Sequence, residues 1–283
     1  MSLTFRPLSH ALGAEIQGVD LGKPLSNSEF DQIHSKFLES GILLFRNQKI
    51  TREQHIAFSR RFGELDRHDS LPRDRHPDYP ELLLVTNIPE KDGKESASKY
   101  TGQQWHSDMS FTLEPSLGSL LRGITIPPVG GDTMFTNMYM AYDTLSDGMK
   151  KMIEPLHGVH TGRRKVTDRD TEREREQTRI NPPIAQPLVR VHPETGRKAL
   201  YIGEKVSGLV GMTEEESKPI IDYLVRHATQ PQFVYRHQWR QDDILLWDNR
   251  CTMHIALGDY AEGEIRHLER TTVKGTPSGY YLQ

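Results

Sequence analysis

The chain of 283 residues carries 36 Lys and Arg against 39 Asp and Glu, a formal net charge of -3, with 35% hydrophobic and 27% charged residues. That balance excludes a disordered chain, and the lack of a basic field excludes a general nucleic-acid binder while allowing a local basic pocket. A single cysteine, Cys251, excludes an intrachain disulfide and a thiolate zinc cluster. No apolar run approaches the ~20 residues of a membrane helix, and residues 1–6 lack the apolar core of a signal peptide, so a cytoplasmic setting is expected.

In chain order, the first predicted element is a helix. Ser26 with Glu29 three residues on forms a capping-box pattern before Phe30, Ile33 and Phe37 at helical spacing, and Gly41 stops it. A strand at 42–45 follows. Thr51 with Gln54 opens a second helix carrying Ile56, Phe58 and Phe62, which Gly63 ends. Strands are expected at 82–86 and 118–126, and a helix without so clear a cap from Tyr139 to Met152. Further strands are expected at 188–191 and 199–202. Thr213 and Glu216 open another helix with Ile220, Ile221, Leu224 and Val225 inward, ahead of strands at 232–237, 244–247 and 268–273. Short strands divided by Gly, Pro and Asn or Asp, with few helices, predict a closed sandwich or barrel rather than a parallel sheet. No internal repeat is visible, and residues 1–283 read as a single domain. Two polar segments stand out, 89–101 and 163–179. Each is open to two readings, a solvated loop or a mobile lid beside a pocket.

The chemistry concentrates in Trp105-His106-Ser107-Asp108. Residues two apart on a strand share a face, so His106 and Asp108 point the same way. His254, 146 residues beyond Asp108, follows an apolar strand and a polar turn and would complete a set of two histidines and one carboxylate. Imidazole donates as a neutral nitrogen, one carboxylate offsets part of the metal charge, and the opposite face stays open. This is the ligand pattern of non-haem Fe(II) oxygenases. Downstream, Arg266 and Arg270 stand four apart and share a face if the strand is regular. They are either surface salt-bridge partners or paired forks for carboxylate or sulfonate oxygens.

Several stretches together resemble one family, the taurine dioxygenase and dichlorophenoxyacetate dioxygenase family of Fe(II)- and 2-oxoglutarate-dependent oxygenases. They are residues 13–21, Phe58-Ser59-Arg60-Arg61-Phe62-Gly63-Glu64-Leu65, Trp105-His106-Ser107-Asp108, Pro128-Val129-Gly130-Gly131-Asp132-Thr133, residues 192–197, Trp247-Asp248-Asn249-Arg250 and the arginine pair. The resemblance spans nearly the whole chain. It implies a mainly β fold with flanking helices, the double-stranded β-helix or jelly roll of clavaminate synthase-like proteins. It implies Fe(II) on His106, Asp108 and His254, with 2-oxoglutarate and O2 as cosubstrates. Thr133 and Arg266 match the pair that holds the distal carboxylate of 2-oxoglutarate. Arg270, and His68 after the Phe-Gly-Glu-Leu stretch, match residues that reach the acidic group of the prime substrate, and Asn87 is a further candidate lining that pocket. The implied reaction hydroxylates a small acidic organic substrate while 2-oxoglutarate loses CO2 to become succinate. No nucleic acid or membrane is implied, and a dimer or tetramer is usual in the family.

Taurine dioxygenases surround their sulfonate with aromatic rings, whereas this chain carries Leu71, Gly162 and Val206 at the matching places. Tyr201-Ile202-Gly203 and residues 228–237 resemble the aryloxyacetate branch more closely, which favours an aryloxyalkanoate over an alkyl sulfonate or sulfate ester. Two other classes stay open on the residues alone: a zinc hydrolase on the same three ligands, and a non-enzymatic jelly roll whose arginines clasp an anion. Cys251 is either a packing residue or an oxidation-sensitive thiol near iron.

Overall fold

The structure is a computed structural model that describes residues 3–72, 74–89, 93, 96, 98–99, 102–162 and 181–282. The segment expected at 163–179, and most of 89–101, lie outside the described residues. No helix among the described residues is long and apolar enough to cross a membrane.

The chain begins with β1 (Thr4–Pro7), β2 (Ala14–Gln17), α1 (Asn27–Ser40), β3 (Ile42–Phe45), α2 (Arg52–Ser59), β4 (Leu83–Thr86), β5 (Gly118–Thr125) and β6 (Thr133–Asn137). Next come α3 (Met138–Asp143), α4 (Asp147–Ile153), β7 (His157–His160), β8 (Ile184–Pro187), β9 (Val189–Val191), β10 (Lys198–Leu200), β11 (Val206–Leu209) and α5 (Glu214–Ala228). A 3-10 turn at Pro231–Phe233, β12 (Val234–His237), β13 (Ile244–Asp248), β14 (Thr252–Ala256), β15 (His267–Val273) and β16 (Tyr280–Tyr281) close it. One seven-stranded sheet runs β1-β2-β3-β13-β5-β15-β4, antiparallel except between β2 and β3. Smaller sheets, β12-β6-β14, β11-β7-β8-β16 and β9-β10, complete the jelly roll.

Side-chain alternation explains why β3 and β13 read as unbroken apolar runs. Leu43, Phe45, Ile244 and Leu246 face α1 and α2, packing with Ile33, Phe37, Ile56 and Phe58. Ile42, Leu44, Leu245 and Trp247 face the interior, with Leu121, Phe135, Trp239 and Leu268. A strand buried on both faces has no polar period to show.

Capping signals in the sequence are used as expected. Ser26, Thr51 and Thr213 each accept from the backbone three residues on, closing capping boxes with Glu29, Gln54 and Glu216. Gly41, at φ 69°, ends α1. Two helix expectations change. α2 stops at Ser59 rather than near Gly63. The helix expected from Tyr139 to Met152 is two, α3 and α4, because Asn137 and Ser146 each cap a start of their own. Strands β1, β2, β6, β7, β8, β11, β14 and β16 have no counterpart among the expected elements.

Candidate metal centre and anion sites

Two hydrogen bonds bring the distant histidines together. His106 N–H donates to the His254 carbonyl (3.0 Å) and His254 N–H to the His106 carbonyl (2.8 Å), an isolated antiparallel bridge. Their rings lie 4.3 Å apart between centroids. Asp108 Oδ1 is 3.8 Å from His106 Nε2 and 3.9 Å from His254 Nε2, and all three residues are buried.

The donor chemistry fits a divalent ion. Burial drives the pKa of His106 well below its usual value, with the Lys205 charge adding to it, and burial lowers that of His254 to about 4. Both rings are therefore neutral near pH 7. Burial would raise the Asp108 pKa, but Arg270 and the two imidazoles hold it below the ordinary carboxylate range. His106 Nδ1–H donates to the Gln104 carbonyl (2.6 Å), which leaves the Nε2 lone pair for a metal. Phe135 stacks on the His254 ring at 5.6 Å, and Trp247 lies at 4.9 Å.

The two oxygens of Asp108 have different partners. Oδ2 accepts from Ser119 Oγ (2.7 Å), while Oδ1 faces the histidines and accepts from Arg270. Asn249 fixes the backbone beneath. Its Oδ1 accepts from Asp108 N–H (3.0 Å), and its Nδ2 donates to Ser116 and Ser119. None of Ser116, Ser119 or Asn249 stood out in the sequence as a site residue. Asn249 lies in the Trp-Asp-Asn-Arg stretch, which was the one available signal.

The two arginines do not share one regular strand, because Arg266 precedes β15 and the register shifts between His267 and Leu268. Leu268 and Arg270 point inward, while Glu269 pairs with Arg52 on α2. Arg266, just ahead of β15, also turns inward but toward a different end. Its Nε donates to the Gly131 carbonyl (2.8 Å). Burial lowers the Arg266 pKa to about 10. Its carboxylate neighbours Asp132 and Asp259 are held by Arg236, so among the described residues Arg266 forms no ion pair. Thr133, two residues from Gly131, accepts from Trp239 Nε1 (2.9 Å). Indole is a donor only, so the Thr133 hydroxyl proton remains free to donate elsewhere. Trp239 was not foreseen.

His68 is fully buried with φ 55°, beside the backbone of Glu81. Burial, then the Arg270 charge, lowers its pKa to about 4. Arg270 Nε is buried and has no partner among the described residues. Asn87, expected to line the substrate pocket, lines a small pocket together with Arg266. Its Nδ2 donates to the Glu264 carbonyl (2.7 Å) and its Oδ1 accepts from Arg266 N–H (2.9 Å), so the amide is committed to the backbone that carries Arg266. Gly162 packs beside Phe111, where an added Cβ would meet the ring at 3.4 Å. Cys251 is buried against the core, and burial raises its thiol pKa well above normal, as for a packing residue.

Similarity to known proteins agrees with this geometry. The family described as "Taurine catabolism dioxygenase TauD, TfdA family" matches residues 4–272. An alpha-ketoglutarate-dependent 2,4-dichlorophenoxyacetate dioxygenase of Cupriavidus pinatubonensis is 34% identical over 264 residues, covering 90% of this chain and 92% of that protein. An alkylsulfatase of Acinetobacter baylyi is 32% identical over 96% of this chain and 85% of its own length. A crystal structure of AAD-2 with Mn(II) and N-oxalylglycine superposes with a TM-score of 0.84 at 34% identity, covering 100% of both chains. The chain thus belongs to the TauD, TfdA family and is a 2-oxoglutarate-dependent dioxygenase that uses Fe(II) and O2.

Proposed function

We propose that the enzyme hydroxylates a small acidic organic substrate, an aryloxyalkanoate in preference to an alkyl sulfonate or sulfate ester, while 2-oxoglutarate is decarboxylated to succinate and CO2. His106, Asp108 and His254 hold the iron, which when bound supplies dioxygen activation. Arg266, aided by the Thr133 hydroxyl, holds the distal carboxylate of 2-oxoglutarate in a charge-assisted fork. Arg270 and His68 receive the acid group of the prime substrate and orient its target C–H bond. Asn87 positions Arg266 through the backbone.

The observation that carries the reading is an unfilled donor beside the triad. Arg270 Nε is buried near Asp108 with no partner among the described residues, and the buried His68 ring lies within reach of both charges. Buried donors of this kind are costly unless a ligand fills them. Arg270 donates to Asp108 Oδ1, which sets its guanidinium at the edge of the triad, where its remaining N–H groups would meet an incoming acid. The relative from Cupriavidus pinatubonensis acts by name on an aryloxyacetate, and the alkylsulfatase keeps the sulfate-ester reading as the alternative. A cytoplasmic setting suits a buried free thiol.

The test is a panel of acidic substrates with Fe(II) and 2-oxoglutarate, scoring succinate and hydroxylated product side by side. Aryloxyalkanoates should give the highest product yield. Arg270→Ala should release succinate while forming product at least about tenfold less efficiently, because the variant loses orientation rather than oxygen chemistry. Equal product-to-succinate ratios in the two proteins would remove Arg270 from this role.

A further inference from the structure

We propose that Arg236 is a positioning residue of the cosubstrate site: by holding the Asp132 carboxylate, it keeps Arg266 free for the distal carboxylate of 2-oxoglutarate. The inference rests on the reading above that Arg266 receives that carboxylate.

Three strands converge at this end of the jelly roll. β12, β6 and β14 lie side by side, with Arg236 opposite Met134 and Ala256 opposite Thr133. The turn before β6 therefore runs beside the chain leaving β14, and Leu257 N–H donates to the Asp132 carbonyl (2.9 Å). His237 and Trp239 are buried, so alternation sends the Arg236 side chain to the outer face, where it is 48% exposed. From there it spans both neighbouring segments. Its Nε donates to Asp132 Oδ2 (2.6 Å) and its Nη2 to Asp259 Oδ2 (2.7 Å).

Arg266 sits one peptide unit away. Gly131 N–H donates to Asp259 Oδ1 (2.9 Å), while the Gly131 carbonyl accepts from Arg266 Nε (2.8 Å). A Cβ on Gly131 would come within 3.1 Å of Arg266 Cδ, so the arginine stem lies against this turn, and Asp132 is the next residue in it.

The two acids differ in what they need. The Asp259 side chain is 43% exposed and has water to solvate it, whereas that of Asp132 is 6% exposed. Stripped of Arg236, Asp132 becomes a buried carboxylate without its partner, a costly state. Arg266 is the neighbouring guanidinium that can relieve it, and an Arg266 turned to Asp132 is lost to 2-oxoglutarate. The charge balance acts in the same direction. Arg236 and Arg266 together offset Asp132 and Asp259, so removing Arg236 leaves one excess negative charge beside the incoming carboxylate. The half-exposed Arg236 contributes little to folding itself.

The experiment titrates 2-oxoglutarate into the anaerobic protein loaded with Mn(II) and reads Kd by calorimetry. Arg236→Met should raise the Kd at least about tenfold. Adding Asp132→Asn to Arg236→Met should return it to within about threefold of the unmodified protein, because the competitor for Arg266 is gone. A clasp that merely ties loops together would not be rescued by removing a second of its members. Unchanged binding in Arg236→Met, or a loss that Asp132→Asn leaves in place, would overturn the role of Arg236 alone. Arg266→Met, titrated alongside, should bind most weakly. If it binds as tightly as the unmodified protein, the placement of the cosubstrate falls and the Arg236 role with it, so the two failures are told apart.

Discussion

At the scale of single residues, the metal carboxylate is shaped by what its second oxygen touches. Ser119 Oγ occupies Asp108 Oδ2, so Oδ1 alone is presented to the histidines. Ser119→Ala should raise the Kd for Mn(II) or Fe(II) by about tenfold or more, the usual effect of losing a hydrogen bond behind a ligand. Calorimetric metal titration checks this, with circular dichroism showing that the fold is unchanged. Trp239 plays the matching part at the other anion site. Trp239→Phe removes the donor that orients the Thr133 hydroxyl, a loss of about 1 kcal/mol. The KM for 2-oxoglutarate should rise several-fold while the KM for the prime substrate stays near its original value. Steady-state kinetics with each substrate varied in turn would reveal a uniform loss instead, if the tryptophan served packing alone.

At the scale of elements, the site depends on turns that hold strand ends in place. The turn before β6 carries Gly130 at φ 78°, where an added Cβ would fall 2.0 Å from the Asp259 carbonyl oxygen. Asp259 Oδ1 in turn accepts from Gly131 N–H (2.9 Å), and the Gly131 carbonyl accepts from Arg266. Gly130→Ala should therefore cost on the order of 1–3 kcal/mol of stability and raise the KM for 2-oxoglutarate, since it displaces the acceptor that aims Arg266. Denaturant unfolding and kinetics on one preparation would show both effects. A stability loss with an unaltered KM would separate the turn from the anion site. On the opposite side of the sheet, Ser59 and Thr271 hydroxyls meet at 2.6 Å and Arg52 pairs with Glu269. These contacts hold α2 on the outer face of β15 while Arg270 points from its inner face, so one strand serves packing and chemistry on alternate residues.

At the scale of the whole molecule, buried charge links the metal loop to the rest of the core. Asp248, at the end of β13, accepts from both Arg250 and His192, and Arg250 continues to Glu194. Burial would raise the Asp248 pKa, but these hydrogen bonds and charges lower it to about 2. An unfolded Asp titrates near pH ~3.9. A depressed carboxylate stabilises the fold above its unfolded pKa and loses that contribution as pH falls through the folded value. Asp248 should therefore contribute on the order of 2 kcal/mol at neutral pH, lost between about pH 4 and 2. Unfolding free energies at pH 5 and pH 3 should differ more for the unmodified protein than for Asp248→Asn. Metal and cosubstrate act on the same equilibrium by mass action. Mn(II) with 2-oxoglutarate, each at about 100 times its Kd, should raise the Tm, each ligand contributing up to about 2.7 kcal/mol. A Tm insensitive to both would argue against a preformed site.

The sequence by itself determined the parts whose cause lies within a few residues. Ser26, Thr51 and Thr213 announced their helices because capping is a contact across three residues. The buried strands β3 and β13 announced themselves by apolar runs, whereas His106 and Asp108, expected on one strand, stand on an isolated bridge and in the turn that follows it. The motifs strung along the chain were specific enough, taken together, to indicate the family. The tertiary structure alone decided the rest. Only sheet register could set His254 beside His106, give Asp108 to Ser119 and Asn249, and bind Asn87 to the backbone of Arg266. It also brought Trp239 to Thr133. The pairing energies of those contacts exist only after strands far apart in the chain have met, so no local pattern of residues could carry them.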